Sequence, residues 1–247
     1  MPPLRKTVRL SEQEGAVLLN PAVKGKGQAH MSTPRAWVRL PSGKRLDLLN
    51  PTPFDWEDED LAVGLARTYR WGGHSAWPLP LSVAQHSLLV LALHRQGCQG
   101  AASARTELRE LLHDADEGLL GFDCLSPLKP ILGQAYRTLT ERLEKAIALR
   151  YGLPPWNPAE RKAHKLADQV AAASEAVHVA GWTEGEVQRT LRISLPTLSE
   201  DSLGEVYGDR AWAPWTPQVS AVRFLAELER LMATQRADPP HNYARRG

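Results

Sequence analysis

Cysteine is scarce. Cys98 and Cys124 are the only two in 247 residues, and they form neither a metal-type spacing nor a disulfide framework. A reduced, cytoplasmic setting is the economical expectation. Long apolar runs are missing too: the best candidate, 88–93, is broken at once by His94 and Arg95, far short of the roughly 20 residues that span a bilayer. The N-terminus has basic residues but no apolar h-region, which predicts no secretory signal. Charge of one sign is also short. The formal net charge is +2, so neither nucleic acid nor a membrane surface is called for as a partner. No internal repeat is evident. What remains is ordinary for a soluble domain: 43% apolar and 23% charged residues, enough for one domain with a sizeable core. Eight tryptophans are more than usual; those at 182, 212 and 215 read as packing residues.

Residues 1–30 lack periodicity and contain Lys24-Gly25-Lys26-Gly27, which predicts a flexible leader. Two alternating runs, 37–40 and 45–49, flank the turn-rich Pro41-Ser42-Gly43-Lys44 and predict a small β-hairpin. Asp55 is placed to cap a helix over 57–69, ended by Gly72 and Gly73. Ser82 caps a second helix, 83–96. A third, 102–120, carries Leu111-Leu112-His113-Asp114-Ala115-Asp116-Glu117. Further helices are expected over 133–151, 158–180, 184–192 and 216–235, with an irregular stretch at 196–214. The sum is an all-α fold with a small N-terminal β-hairpin.

The His113-Asp114 pair puts two metal-ligand types side by side. On a continuous helix, residues 113, 114 and 117 would share one pocket. A dyad alone is weak, since His-Asp arises by chance. Taken singly, His86 reads as a core histidine and Asp168 as a helix-surface acid. Together, in order on three helices, His86, His113, Asp114 and Asp168 supply two imidazoles and two carboxylates, a donor set suited to a divalent transition ion.

The order H…HD…D resembles the HD-domain metal-dependent phosphohydrolases. The longer phrases narrow it: the Trp-turn-Leu hairpin, Arg70-Trp71-Gly72-Gly73-His74, Ser82-Val83-Ala84-Gln85-His86-Ser87, Leu111 to Glu117, and Pro127-Leu128-Lys129. Together they are similar to the YfbR-like 5'-deoxynucleotidase branch, phage-type relatives included, over about 35–180. The resemblance implies an HD-domain helical bundle, placed at 31–195; residues 196–247 lie outside it and are expected to form a C-terminal helical extension packing on the domain, with a frayed tail. It implies His86, His113, Asp114 and Asp168 as ligands of one divalent metal ion (Co, Mn, Zn, Fe or Mg). It also places Arg70 against the substrate phosphate, Trp71 beside the nucleoside and Glu117 as the proton-handling carboxylate. Asp123 falls near the leaving 5'-oxygen, and Cys124, Leu125 and Ser126 in the sugar- and phosphate-reading loop. The family loop Gly-Asp-Leu-Pro-x-Pro is one residue longer here, at 121–127.

Lys129 fits either a phosphate contact or a solvated lysine, and His74 either a pocket wall or a loop hydrogen bond. His94, His164 and His178 show no partner pattern. The resemblance implies a (deoxy)nucleoside 5'-monophosphate substrate and a homo-oligomer, dimer or higher. Two rivals stand beside it. One is a deoxynucleoside triphosphate hydrolase, for instance dATP-directed, with the same ligands. The other, of another class, is a nucleotide-binding sensor without turnover, against which the carboxylate at 117 argues.

Overall fold

The structure is a computed structural model, described here for residues 35–99 and 102–237. The leader expected over 1–30 and the tail at 238–247 lie outside the described residues. Strands β1 (Trp37–Arg39) and β2 (Arg45–Asp47) pair antiparallel, Val38 opposite Leu46. Nine helices follow among the described residues: α1 (Asp58–Arg67), α2 (Val83–Cys98), α3 (Ala104–Leu111), α4 (Ala115–Leu120), α5 (Lys129–Tyr151), α6 (Pro158–His178), α7 (Glu184–Glu186), α8 (Ser202–Tyr207) and α9 (Pro217–Ala237). The expected class holds: a helical fold with a small N-terminal hairpin. No helix among the described residues is long and apolar enough to cross a membrane.

Helix α2 forms the centre. It is buried without a break from Val83 to Leu91, as a helix does when neighbours cover every face. Ser82 caps it as anticipated, its Oγ accepting from the Gln85 amide. Helix α6 packs along it, as do α3 and α9. The last helix sends Phe224, Leu228 and Leu231 into the same apolar cluster as Leu61, Leu65 and Leu111. It is thus part of the core and not an appendage. Arg95 on α2 ties it further through Glu227, whose carboxylate Arg230 also holds.

The start of α1 differs from the expectation. Its cap is Glu57, whose carboxylate and that of Asp60 form a reciprocal capping box. Asp55 instead folds back to accept from the Thr52 amide and hydroxyl, at 3.0 and 2.6 Å. Asp60 also receives the Ser42 amide and hydroxyl, fastening the hairpin turn to α1. Helix α1 ends at Arg67, before the two glycines. The chain extends there, and Tyr69 bridges to Ser82. The glycines belong to a separate 3-10 turn, Arg70–Gly73.

Helices α1 and α4 cross where both are glycine: a Cβ on Gly64 would overlap the Gly118 carbonyl, and one on Gly118 would strike Leu65. The expected helix 102–120 is in fact broken at Leu112–Asp114 between α3 and α4. The cause is local. His113 Nδ1 donates to the Glu110 carbonyl at 2.8 Å, taking the acceptor that a continuous helix would reserve for the residue 114 amide. Helix α5 starts four residues earlier than anticipated, at Lys129, and kinks at Gly133, where φ is 71°. The stretch 196–214 is less irregular than expected, since Asp201 caps α8 by accepting from the Leu203 amide.

Candidate metal centre

His86 on α2 is fully buried. Its Nδ1 lies 2.7 Å from Glu175 Oε1 on α6. The His113 Nδ1 proton is committed to the Glu110 carbonyl. The remaining ring nitrogens, the two Nε2 atoms, face each other at 3.3 Å. Two imidazole nitrogens that close need a proton or a cation between them, and anchoring the rear nitrogen is how proteins aim a histidine at a metal. Asp168 Oδ1 stands 3.6 Å from His86 Nε2. Donor atoms of His86, His113 and Asp168 all lie within 4.8 Å of one another, and this group can hold a metal ion. Asp114 Oδ2 adjoins them, 3.1 Å from His113 Nε2 and 3.6 Å from His86 Nε2. The residues present therefore fit a divalent ion in donor type, tautomer and backing.

The spacing argument for the dyad does not survive, because 113 and 114 sit in the helix break. The break serves the site nonetheless. Leaving the helix lets adjacent residues both reach the cluster, which successive helical positions seldom do. Electrostatics keep the two carboxylates ionised. Burial opposes charge on Asp114 and Asp168, but His113 and His86 outweigh it and hold both carboxyls below the ordinary range. Burial and Arg70 oppose charge on His86, yet Glu175 and Asp168 raise it to about 9.

Beside the cluster opens a cavity of about 340 Å³. It brings together the other expected residues: Arg70, Trp71, Glu117, the 123–126 loop and Lys129. The Arg70 amide donates to the Leu81 carbonyl, which anchors the side chain beside the start of α2. Its Nε is buried, 3.4 Å from Glu175 Oε2, without a hydrogen bond. Burial works against its charge, but Glu175, Asp123, Asp114 and Glu117 raise its pKa above the usual value. Trp71 sits at φ 58°, a left-handed conformation unusual for so bulky a residue. It packs at a tilt on Trp182. Burial, with Asp114 and Asp123 nearby, pushes the Glu117 carboxyl up to about 10. Lys129 Nζ reaches Glu117 Oε1 at 3.6 Å. His74 is exposed and outside the cavity.

Sequence reasoning missed the supports. Glu175 holds His86 and faces Arg70, yet it was legible: it lies two helical turns after Asp168, on the same face of α6. Glu110 is buried between His94 and His164, at 3.2 and 2.8 Å, so those two histidines do have a partner. His178 meets the Leu198 carbonyl. Gln169, Thr190, Leu191 and Ile193 complete the cavity wall. The last three come from a π-helical turn, Val187–Leu191, and its exit, where no periodicity marks them.

No family model matches the chain. It is 47% identical over 165 residues to an uncharacterized protein of Rhodobacter capsulatus, covering 66% of this chain and 83% of that protein. The chain belongs to that protein's family. A more distant relative, the uncharacterized protein YfdR of Escherichia coli, is 32% identical over 120 residues, 49% of this chain and 61% of YfdR. Neither relative's description names an activity, so the chemistry of the family is argued from the site itself.

Proposed function

We propose that the protein is a metal-dependent phosphohydrolase of the HD-domain kind that removes phosphate from (deoxy)nucleoside 5'-monophosphates. The observation that carries the reading is the pair of Nε2 atoms 3.3 Å apart with both rear nitrogens engaged, set between two ionised carboxylates beside Arg70. A divalent ion of the Mn, Co, Zn, Fe or Mg kind supplies Lewis-acid charge there and makes water more acidic. The chain's own residues do the rest. Arg70 offers a planar fork and fixed charge to a phosphate. Glu117, buried beside Asp114, is the group that orients water or moves its proton. Asp123, in the cavity wall, assists departure of the 5'-oxygen. Trp71 with Leu191 and Ile193 gives the nucleoside an apolar wall, and about 340 Å³ suits a mononucleotide.

The nearest rival, a deoxynucleoside triphosphate hydrolase, draws support from Lys129 and Lys165 on the cavity wall. A nucleotide sensor would leave Glu117 without a task. A homo-oligomer accords with Leu128, Ile131 and Leu132, apolar side chains exposed at the start of α5. The test is product analysis. Purified protein with Mn, Co or Mg meets each deoxy- and ribonucleoside mono- and triphosphate, and the released phosphate species are separated. Phosphate from monophosphates is the expected result. Triphosphate or pyrophosphate from triphosphates installs the rival, and tight binding without turnover under every metal installs the sensor.

A further inference from the structure

His113 borders a second cavity, of about 820 Å³, that the phosphohydrolase reading does not use. It is bounded by the later part of α5, the 153–156 connector, the first turns of α6 and the α3–α4 break. Helix α5 packs on α4 and α6 packs on α2, so the two longest walls of this space are held by different neighbours.

Three side chains at one end of the cavity are arranged for an anion. Arg109 is only 4% exposed. Its guanidinium lies over the Trp156 ring at 4.5 Å. Nη1 is 3.5 Å from Glu160 Oε2, while Nη2 is buried with no hydrogen-bond partner. A buried guanidinium nitrogen without an acceptor is rare in folded proteins and marks a place where one belongs. His164, stacked on Trp156 with ring centroids 4.8 Å apart, has its Nδ1 fixed by Glu110 Oε2 at 2.8 Å. Because Glu110 is fully buried, it sets the ring's orientation and leaves Nε2 for a ligand. Arg161 stands on the rim, and Leu153, Pro154 and Pro155 give an apolar wall. The α5 side is of mixed charge, with Glu141 and Glu144 beside Lys145. One small oxyanion on an apolar body satisfies all of these.

We propose that this cavity is a second ligand site, separate from the metal centre, which binds a small organic phosphate or carboxylate through Arg109 and His164 with its apolar part against 153–155.

Isothermal titration of the full chain with phenylphosphonate and phenylacetate tests this, in the wild type and in Arg70→Ala, Arg109→Gln and Arg161→Ala. Phenylphosphonate resists hydrolysis, and Arg70→Ala disables the first pocket. The expected result is that phenylphosphonate or phenylacetate binds Arg70→Ala as it binds the wild type, whereas Arg109→Gln weakens it tenfold or more. Preference for one probe tells phosphate from carboxylate as the natural group. If Arg109→Gln fails to fold by circular dichroism, the exposed Arg161→Ala carries the test, with a loss of threefold or more expected. Binding that disappears in Arg70→Ala, binding indifferent to both arginines of this cavity, or no binding at millimolar probe overturns the proposal.

Discussion

Glu175 serves two neighbours at once, bonding His86 Nδ1 at 2.7 Å with one oxygen and facing Arg70 Nε at 3.4 Å with the other. Carboxylates behind metal-binding histidines typically contribute 10- to 100-fold to metal affinity or activity. Glu175→Gln should therefore lower metal affinity by about that factor and reduce turnover as well, read by metal titration and by phosphate release. Asp114→Asn should remove bound metal and activity together; wild-type metal content in that variant would strike Asp114 from the ligand set. Arg70→Ala should cut turnover far more than metal content, and equal turnover would leave Arg70 a structural residue. At this scale the four candidate ligands stood out in the sequence because imidazoles and carboxylates advertise their chemistry, and the fold gathers them in one cluster. Glu110 was not, because its role depends on which rings the fold brings to it, His94 from α2 and His164 from α6.

Helices began as the sequence foretold at two points where one residue decides the matter locally. Ser82 caps α2 with its side chain, and α6 opens at Pro158, behind an Asn157 cap that the pattern had not singled out. Ser82→Ala should cost about 1 kcal/mol, seen as a lowered midpoint in chemical denaturation. The break at 112–114 escaped because its cause is a ring rotated back onto the Glu110 carbonyl, which no pattern of apolar residues encodes. Asp55 escaped for a related reason: both it and Glu57 are able to cap, and only the turn at Thr52 chooses between them. The α1–α4 crossing makes a sharper prediction. Gly64→Ala should destabilise the fold by about 1–3 kcal/mol as an overpacked contact and lower Tm, although alanine favours a helix intrinsically. An unchanged Tm would mean the two helices separate freely.

Across the whole molecule, the centre joins α2, the α3–α4 break and α6, three segments distant in sequence. An ion bound there favours the folded state only, so saturating metal should raise Tm and chelation lower it, by about 2.7 kcal/mol in stability at a hundredfold excess over Kd. A second global response comes from α9. Burial opposes charge on Glu227, but Arg230 and Arg95 outweigh it and hold its carboxyl below the ordinary value of 4.5. A depressed carboxylate stabilises the fold above its unfolded pKa, and that contribution is lost as pH falls through the folded one. Glu227→Gln should thus be less stable than the wild type at neutral pH and converge with it in acid, as Tm followed against pH would reveal. The burial of α9 was legible only as an amphipathic pattern; that it completes the main core depended on the path of the chain through α8. The glycine crossing also constrains how this protein can drift. Single-codon steps away from glycine at 64 or 118 meet backbone or the body of Leu65, not the yielding tip of a long side chain. Helix α4 cannot retreat to admit them without carrying Glu117 with it, so a lineage that alters this contact must shift the carboxylate in the cavity wall in the same step.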